Sequence, residues 1–154
     1  DLCEGAYWDG LADRQALHKA DTPCDERAYL HFSFGAYHGH GECCWRLGDL
    51  VAAGRGCASS AARAFSLYRR AFDLESGRID EDRASTGNAA LRLARAFELG
   101  RGCEQDFRRA RTWYRLAAIG LGAAFDAGQW HFKRERIEAR RGVARMAQEI
   151  AGTY

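Results

Sequence analysis

Apolar side chains recur along this chain at helical spacing, in stretches parted by short breaks rich in glycine or capping residues. Over residues 4–19, Tyr7, Leu11 and Leu17 stand at roughly helical intervals and predict a first helix. Asp21-Thr22-Pro23-Cys24-Asp25 ends it and starts the next, because Asp21 or Thr22 can cap and Pro23 suits a first turn. That next helix, about 24–38, carries Tyr29, Phe32, Ala36 and Tyr37. A third, about 41–53, sets Cys44, Leu47, Leu50 and Val51 on one stripe. It stops at Gly54 and Gly56, of which one or both are expected at a positive φ that a β-carbon tolerates poorly. Ser59 or Ser60 then caps a helix on which Ala64, Leu67, Tyr68 and Ala71 fall at i, i+3, i+4 and i+7.

The same text returns 46 residues later. Arg46, Leu47, Gly54, Arg55, Gly56, Cys57, Arg63, Ala64, Tyr68, Arg69 and Ala71 recur as Arg92, Leu93, Gly100, Arg101, Gly102, Cys103, Arg109, Ala110, Tyr114, Arg115 and Ala117. Ala110, Trp113, Tyr114 and Ala117 repeat the buried stripe; the alanines let helices approach and the aromatics fill the space between them. These positions read as core. A repeated helix–turn–helix of this size predicts an all-α fold, an α/α superhelical solenoid. Arg27-Ala28-Tyr29 and Phe32 echo Arg63-Ala64-Phe65 and Tyr68 at an offset of 36, which adds a divergent half repeat upstream.

The expected organisation is one domain over 1–154: an N-terminal capping helix (1–23), a degenerate half repeat (24–40), a repeat (41–75), an inserted loop (76–88), a second repeat (89–122) and C-terminal capping helices (123–154). The loop holds the acidic run Asp80-Glu81-Asp82, and Ser85 or Thr86 is expected to cap the helix after it. Loops inserted into helical repeats often bind. Phe125, Phe132, Ile137, Val143, Met146 and Ile150 are available for burial in the closing helices.

Composition adds charge asymmetry. The net charge is only +2, yet residues 1–50 hold nine acids against four Lys or Arg, and residues 101–154 hold eleven cations against six acids. Such a distribution steers a charged partner or simply solvates helix faces. No dense basic run with interleaved aromatics points to nucleic acid, and no apolar run approaches the roughly 18–20 residues of a membrane span. Six cysteines suit an oxidising compartment, so a secreted or periplasmic location is expected, with the cytoplasm as the alternative. The opening Asp1-Leu2-Cys3, without methionine, fits either leader removal or a cut in a longer chain.

His38-Gly39-His40-Gly41-Glu42-Cys43-Cys44, with His31 upstream, is the densest cluster of metal-type ligands. Imidazole and thiolate suit zinc or copper, which makes His38, His40, Cys43 and Cys44 the alternative, metal-binding reading. Their spacing matches no common zinc pattern, and the leading expectation is no cofactor and no metal. A nucleophilic Cys–His pair lacks an orienting third group in the sequence, so no enzyme activity is expected. Cys3 and Cys24 flank the first helix and are the pair most easily bridged.

The pattern A-x-x-x-L-G, G-x-G, A-x-x-W-Y-x-x-A-A resembles the Sel-like repeat, a relative of the tetratricopeptide repeat. It reads Cys43-Cys44-Trp45-Arg46-Leu47-Gly48, Gly54-Arg55-Gly56, Ala64, Tyr68, Ala71 and again Ala89, Leu93-Ala94, Gly100-Arg101-Gly102, Asp106, Ala110, Trp113-Tyr114, Ala117-Ala118. Residues 27–39 match only the second-helix half, with Gly35-Ala36 and Gly39. Two departures stand out: cysteine follows each glycine turn, and Ala94 replaces the first-helix glycine. Cysteine-rich members staple each repeat with a disulfide, but Phe72, Ala90 and Ala118 supply no partners for Cys44, and the staple is not carried over. The resemblance implies a superhelix that binds other proteins, with bacterial members acting as adaptors, periplasmic regulators, host-interaction factors or immunity proteins against a secreted toxin. A partner is then expected to meet first-helix side chains outside the core stripe: Trp45, Arg46 and Asp49 in one unit, Arg92, Arg95 and Glu98 in the next, with Asp80, Glu81 and Asp82 adding to that surface.

Overall fold

A computed structural model describes residues 23–77 and 83–153. The helix expected over 4–19, Cys3, and the run Asp80-Glu81-Asp82 lie outside them. The described elements are α1 (Pro23–Tyr37), α2 (Gly41–Ala53), α3 (Ala61–Glu75), α4 (Arg83–Leu99), α5 (Phe107–Asp126), a 3-10 turn (Trp130–Phe132) and α6 (Lys133–Ala151). The fold is all-α and of the helical-repeat class. The chain divides into two compact units, one up to Leu74 and one from Glu75 onward.

In the first unit α1 buries Ala28, Phe32 and Ala36 and packs on α2. The two helices touch where glycine permits it: a Cβ on Gly35 would lie 2.1 Å from Cys43 Sγ. Tyr37, also carried by this helix, is 80% exposed, since one residue beyond Ala36 the helix has turned it off the buried face. On α2, Cys44, Leu47, Leu50 and Val51 are buried as their spacing requires. Tyr68 of α3 covers Gly48, where a Cβ would come within 2.5 Å of the ring.

Both glycines of each repeat turn adopt the left-handed conformation: Gly54 and Gly56 at φ 69° and 71°, Gly100 and Gly102 at 65° and 75°. Four left-handed residues explain four glycines. The side-chain bonds around the turns also recur. Ser60 Oγ accepts from the Arg63 amide at 3.2 Å, and Asp106 Oδ1 accepts from the Arg108 and Arg109 amides at 2.9 and 3.0 Å, each capping a second helix. One residue earlier, Ser59 Oγ donates to the Ala52 carbonyl at 3.0 Å and Gln105 Nε2 to the Glu98 carbonyl at 2.8 Å. Two unlike side chains close the same helix end.

The second unit corrects the inserted loop. α4 begins at Arg83, six residues ahead of the expected start, and Ser85, Thr86 and Asn88 are buried inside it instead of capping it. A polar stretch is helical here in part because Asn88 and Arg92 bond back along the helix. Asn88 Nδ2 donates to the Ala84 carbonyl at 2.9 Å, and Arg92 Nη1 donates to Asn88 O and Oδ1 at 3.1 and 3.0 Å. The opposing stretch of α5 comes close: a Cβ on Gly120 would lie 2.8 Å from the Arg83 carbonyl oxygen and 3.0 Å from Gly87 Cα. α4 and α5 run 17 and 20 residues, against 13 and 15 for α2 and α3. Much of the additional sequence therefore lengthens a helix pair.

α5 also runs past the expected boundary at 122. Of the six apolar residues offered for burial in the closing segment, Met146 is buried and Ile137 is 39% exposed; the other four are half-buried. α6 packs through smaller groups instead, Ala139 and Gly142. At Gly142 a Cβ would lie 2.5 Å from the Tyr114 ring.

Candidate protein-interaction surface

The first helix of each repeat carries the residues singled out in the sequence. Trp45 is not a surface residue: it is 4% exposed and belongs to the core. Arg46 beside it is half-buried, donates to Glu42 Oε1 at 2.7 Å, and lays its guanidinium 4.6 Å from the Trp45 ring centroid. Asp49 accepts from the Tyr68 hydroxyl at 2.8 Å. On α4, Arg92 holds Asn88, and Arg95 pairs with Glu138 of α6 through both carboxylate oxygens, its Nε at 2.5 Å from Oε1.

Glu98 is the centre of a larger network. Arg145 of α6 donates from Nε to Oε1 at 2.6 Å and from Nη2 to Oε2 at 2.8 Å. The Tyr114 hydroxyl donates to Oε2 as well and lies 3.2 Å from Arg145 Nη2. The hydrogen bond from Arg145 holds the Glu98 carboxyl below its ordinary value, against the upward push of burial and with help from Tyr114. Burial first, then the Glu98 hydrogen bond and charge, pushes the Tyr114 hydroxyl up. The arrangement is a structural clamp across α4, α5 and α6, with its carboxylate ionised and its phenol neutral at pH 7.

Tyr68 and Tyr114 are repeat equivalents, and each hydroxyl meets a carboxylate of its own first helix. The acids are not equivalent, since Glu98 corresponds to Ala52 and Asp49 to Arg95. A second ion pair has no counterpart among the sequence expectations. Arg55, in the Gly-Arg-Gly turn, donates from Nε to Oδ1 of Asp25 at 2.9 Å, and Asp25 is 1% exposed. Gly56 lets this turn settle on α1, for a Cβ there would stand 2.5 Å from the Asp25 carbonyl oxygen. Asp25 reads in the sequence only as a first-turn acid, and Glu138 and Arg145 as charges on a closing helix. The one available signal was the seven-residue spacing of Glu138 and Arg145 on either side of Gly142.

The histidine–cysteine cluster is not gathered. His38 and His40 are exposed around the α1–α2 turn, whereas Cys43 and Cys44 are buried. His38 instead contacts Phe34, with ring centroids 4.4 Å apart. Burial, with Glu42 and Cys44 adding to it, raises the Cys43 thiol to about 11, so at neutral pH it is protonated. Among the described residues no group of three or more His, Cys, Asp or Glu is arranged to hold a metal ion. Cys43, Cys44, Cys57 and Cys103 are free thiols; Cys3, the expected partner of Cys24, lies outside the described residues. No helix among the described residues is long and apolar enough to cross a membrane.

Paired helices, glycine turns and ion pairs that tie helix to helix define a helical-repeat protein. Two stretches, 41–76 and 87–119, match the Sel1 repeat family model, one spanning α2 and α3 and the other most of α4 and the larger part of α5. The chain is a Sel1-like repeat protein. No curated protein matches it. Sel1 repeats commonly mediate protein–protein interaction, and the family is typically non-catalytic.

Proposed function

We propose that the chain is a non-catalytic scaffold that binds another protein through the polar faces of its first helices, α2 in one repeat and α4 in the other. It would serve as an adaptor, a regulator or an immunity protein that neutralises a secreted toxin. The observation that carries this reading is the pair of Sel1 repeats, whose recurring leucine, alanine and tyrosine side chains go into packing. The polar faces support it. Arg46, Asp49, Arg92, Arg95 and Glu98 are half-buried and held by internal bonds, so their charges are already oriented when a partner arrives.

Affinity capture with the intact chain from its source cells tests the reading. A defined protein partner is expected, weakened about tenfold or more when Arg46 and Arg92 are both changed to Glu. Retention at full affinity would move the surface off α2 and α4. Recovery of no protein partner would end the scaffold reading. For the immunity role, the captured partner is a toxic enzyme whose activity falls when this chain is added.

A further inference from the structure

We propose that the outer face of α6 is a docking surface for a protein partner that presents carboxylates around an apolar side chain. The inference rests on the scaffold reading and adds a location and a partner chemistry that the two repeats do not specify.

The buried stripe of α6, Ala139, Gly142 and Met146, fixes which side chains face outward. Helical geometry puts Lys133, Arg134, Ile137, Arg140 and Arg141 on the opposite arc, and all five are exposed. Ile137 sits at the middle of that arc with the four cations around it, and no Asp or Glu falls there. The acids of α6 lie elsewhere: Glu135 and Glu138 are half-buried towards the core side, Glu138 is tied to Arg95, and Glu149 belongs to the last turns, beyond Met146. Arg145, in the C-terminal half, is held by Glu98. The placement of its acids thus leaves the outer face purely cationic. None of its four cations takes part in an ion pair among the described residues. In the 3-10 turn that leads into this helix, Trp130 is 69% exposed.

An arginine face on a helix is ordinarily just solvated. Two features set this one apart: its single sign of charge, and apolar groups at its centre and N-terminal end. Apolar centres with charged rims, and Trp and Arg as anchors, are the anatomy of protein interfaces. Four cations in about 12 Å of helix steer an acidic surface towards them and reject a basic one. A lipid surface fits less well, because an interfacial helix inserts its apolar side, and that side of α6 is buried in the protein. Nucleic acid contacts would draw on the charges and leave Ile137 without a role.

The test uses the full chain and four probes: a synthetic helical peptide with glutamates flanking leucine, its lysine-for-glutamate counterpart, single-stranded DNA, and phosphatidylserine vesicles. At low ionic strength the acidic peptide is expected to bind and the basic one not, with binding weakened by added salt. The double variant Arg140→Glu, Arg141→Glu is expected to lose about tenfold or more in affinity, and Ile137→Ser to weaken binding without changing its salt dependence. Arg115→Glu, exposed on α5, serves as the control and binds as wild type. These positions are solvated, so circular dichroism is expected to show native folding in every variant. No binding of the acidic peptide, equal binding by the double variant, or preference for DNA or vesicles would each overturn the proposal. A captured protein partner that binds the α6 double variant as tightly as wild type would also overturn it, yet leave the scaffold reading intact. The scaffold reading fails separately, by the absence of any protein partner.

Discussion

Tyr114 occupies the space that a side chain at position 142 would need, its ring standing 2.5 Å from where a Cβ on Gly142 would lie. The contact brings α5 and α6 close together and sets up the hydroxyl for Glu98 and Arg145. Gly142→Ala gains helix propensity of up to about 1 kcal/mol but forces the ring or the helix to move, which costs about 1–3 kcal/mol. Net destabilisation is expected, measured by urea unfolding. Gly122, also helical but with open space for 4 Å around the place a Cβ would take, isolates the effect of propensity; Gly122→Ala is expected to stabilise by about 0.5–1 kcal/mol. If both alanines stabilise, the crowding at Gly142 is not real.

The Glu98 network predicts a pH dependence with a definite sign. Its carboxyl is held below the ordinary value of 4.5, chiefly by Arg145. The unfolded chain therefore takes up the proton first as pH falls. The stabilisation is present in full above the ordinary value, and is lost as pH falls through 4.5 towards the lower folded value. Glu98→Gln is expected to cost about 1–2 kcal/mol at pH 7 and to cost progressively less on acidification over that window. A gap between wild type and variant that stays constant down to about pH 3 would show that the ionised carboxylate is not what Arg145 and Tyr114 hold.

Much of the fold was legible because repetition made each unit testify for the other. Gly54, Gly56, Gly100 and Gly102 announced the turns, and Ala64, Tyr68, Ala110 and Tyr114 the buried faces. Two boundaries misled. Ser85-Thr86-Gly87-Asn88 looks like a loop ending in a cap because its residues prefer turns in isolation. The helix forms regardless, since Asn88 and Arg92 bond back along it and Gly87 admits α5. Trp45 misled in the other direction: one place outside a narrow apolar stripe, it looked free, yet α2 is buried over more of its circumference than a surface helix. The interaction surface was legible as positions but not as bonds. No local pattern links Arg95 to Glu138 or Glu98 to Arg145, which lie 43 and 47 residues apart.

The Asp25–Arg55 pair separates the two glycine turns by what they hold. Asp25 is 1% exposed, and the Arg55 side chain is 22% exposed. Removing the arginine takes a charge-assisted hydrogen bond from a carboxylate that is almost fully buried, whereas removing the acid leaves a guanidinium that reaches water. Arg55→Ala is therefore expected to destabilise more than Asp25→Ala, with the larger loss about 3 kcal/mol. At the equivalent position of the second repeat Arg101 is exposed, and Arg101→Ala is expected to stay within about 0.5 kcal/mol of wild type. Chemical unfolding of the three variants gives the order; equal losses at 55 and 101 would mean the ion pair contributes nothing.

Thiol reactivity tests the buried cluster directly. Cys57 and Cys103 sit in equivalent turns and are half-exposed, while Cys24, Cys43 and Cys44 are buried. Cys43 is raised to about 11 mainly by its burial, so below its ordinary value of 9.0 it contributes the full stability of a buried neutral thiol. That contribution is lost as pH rises through the folded value. With iodoacetamide at about pH 8, close to the ordinary thiol range, mass spectrometry is expected to find the turn cysteines alkylated first, and Cys43 and Cys44 modified only at the rate of unfolding. The thiolate is the reacting species, which keeps Cys43 slow on two counts, access and ionisation. Alkylation of Cys43 as fast as Cys57 in the folded chain would return it to the reactive groups. The metal-ligand reading would then need to be taken up again, with His38 and His40 as its nearest imidazoles in sequence.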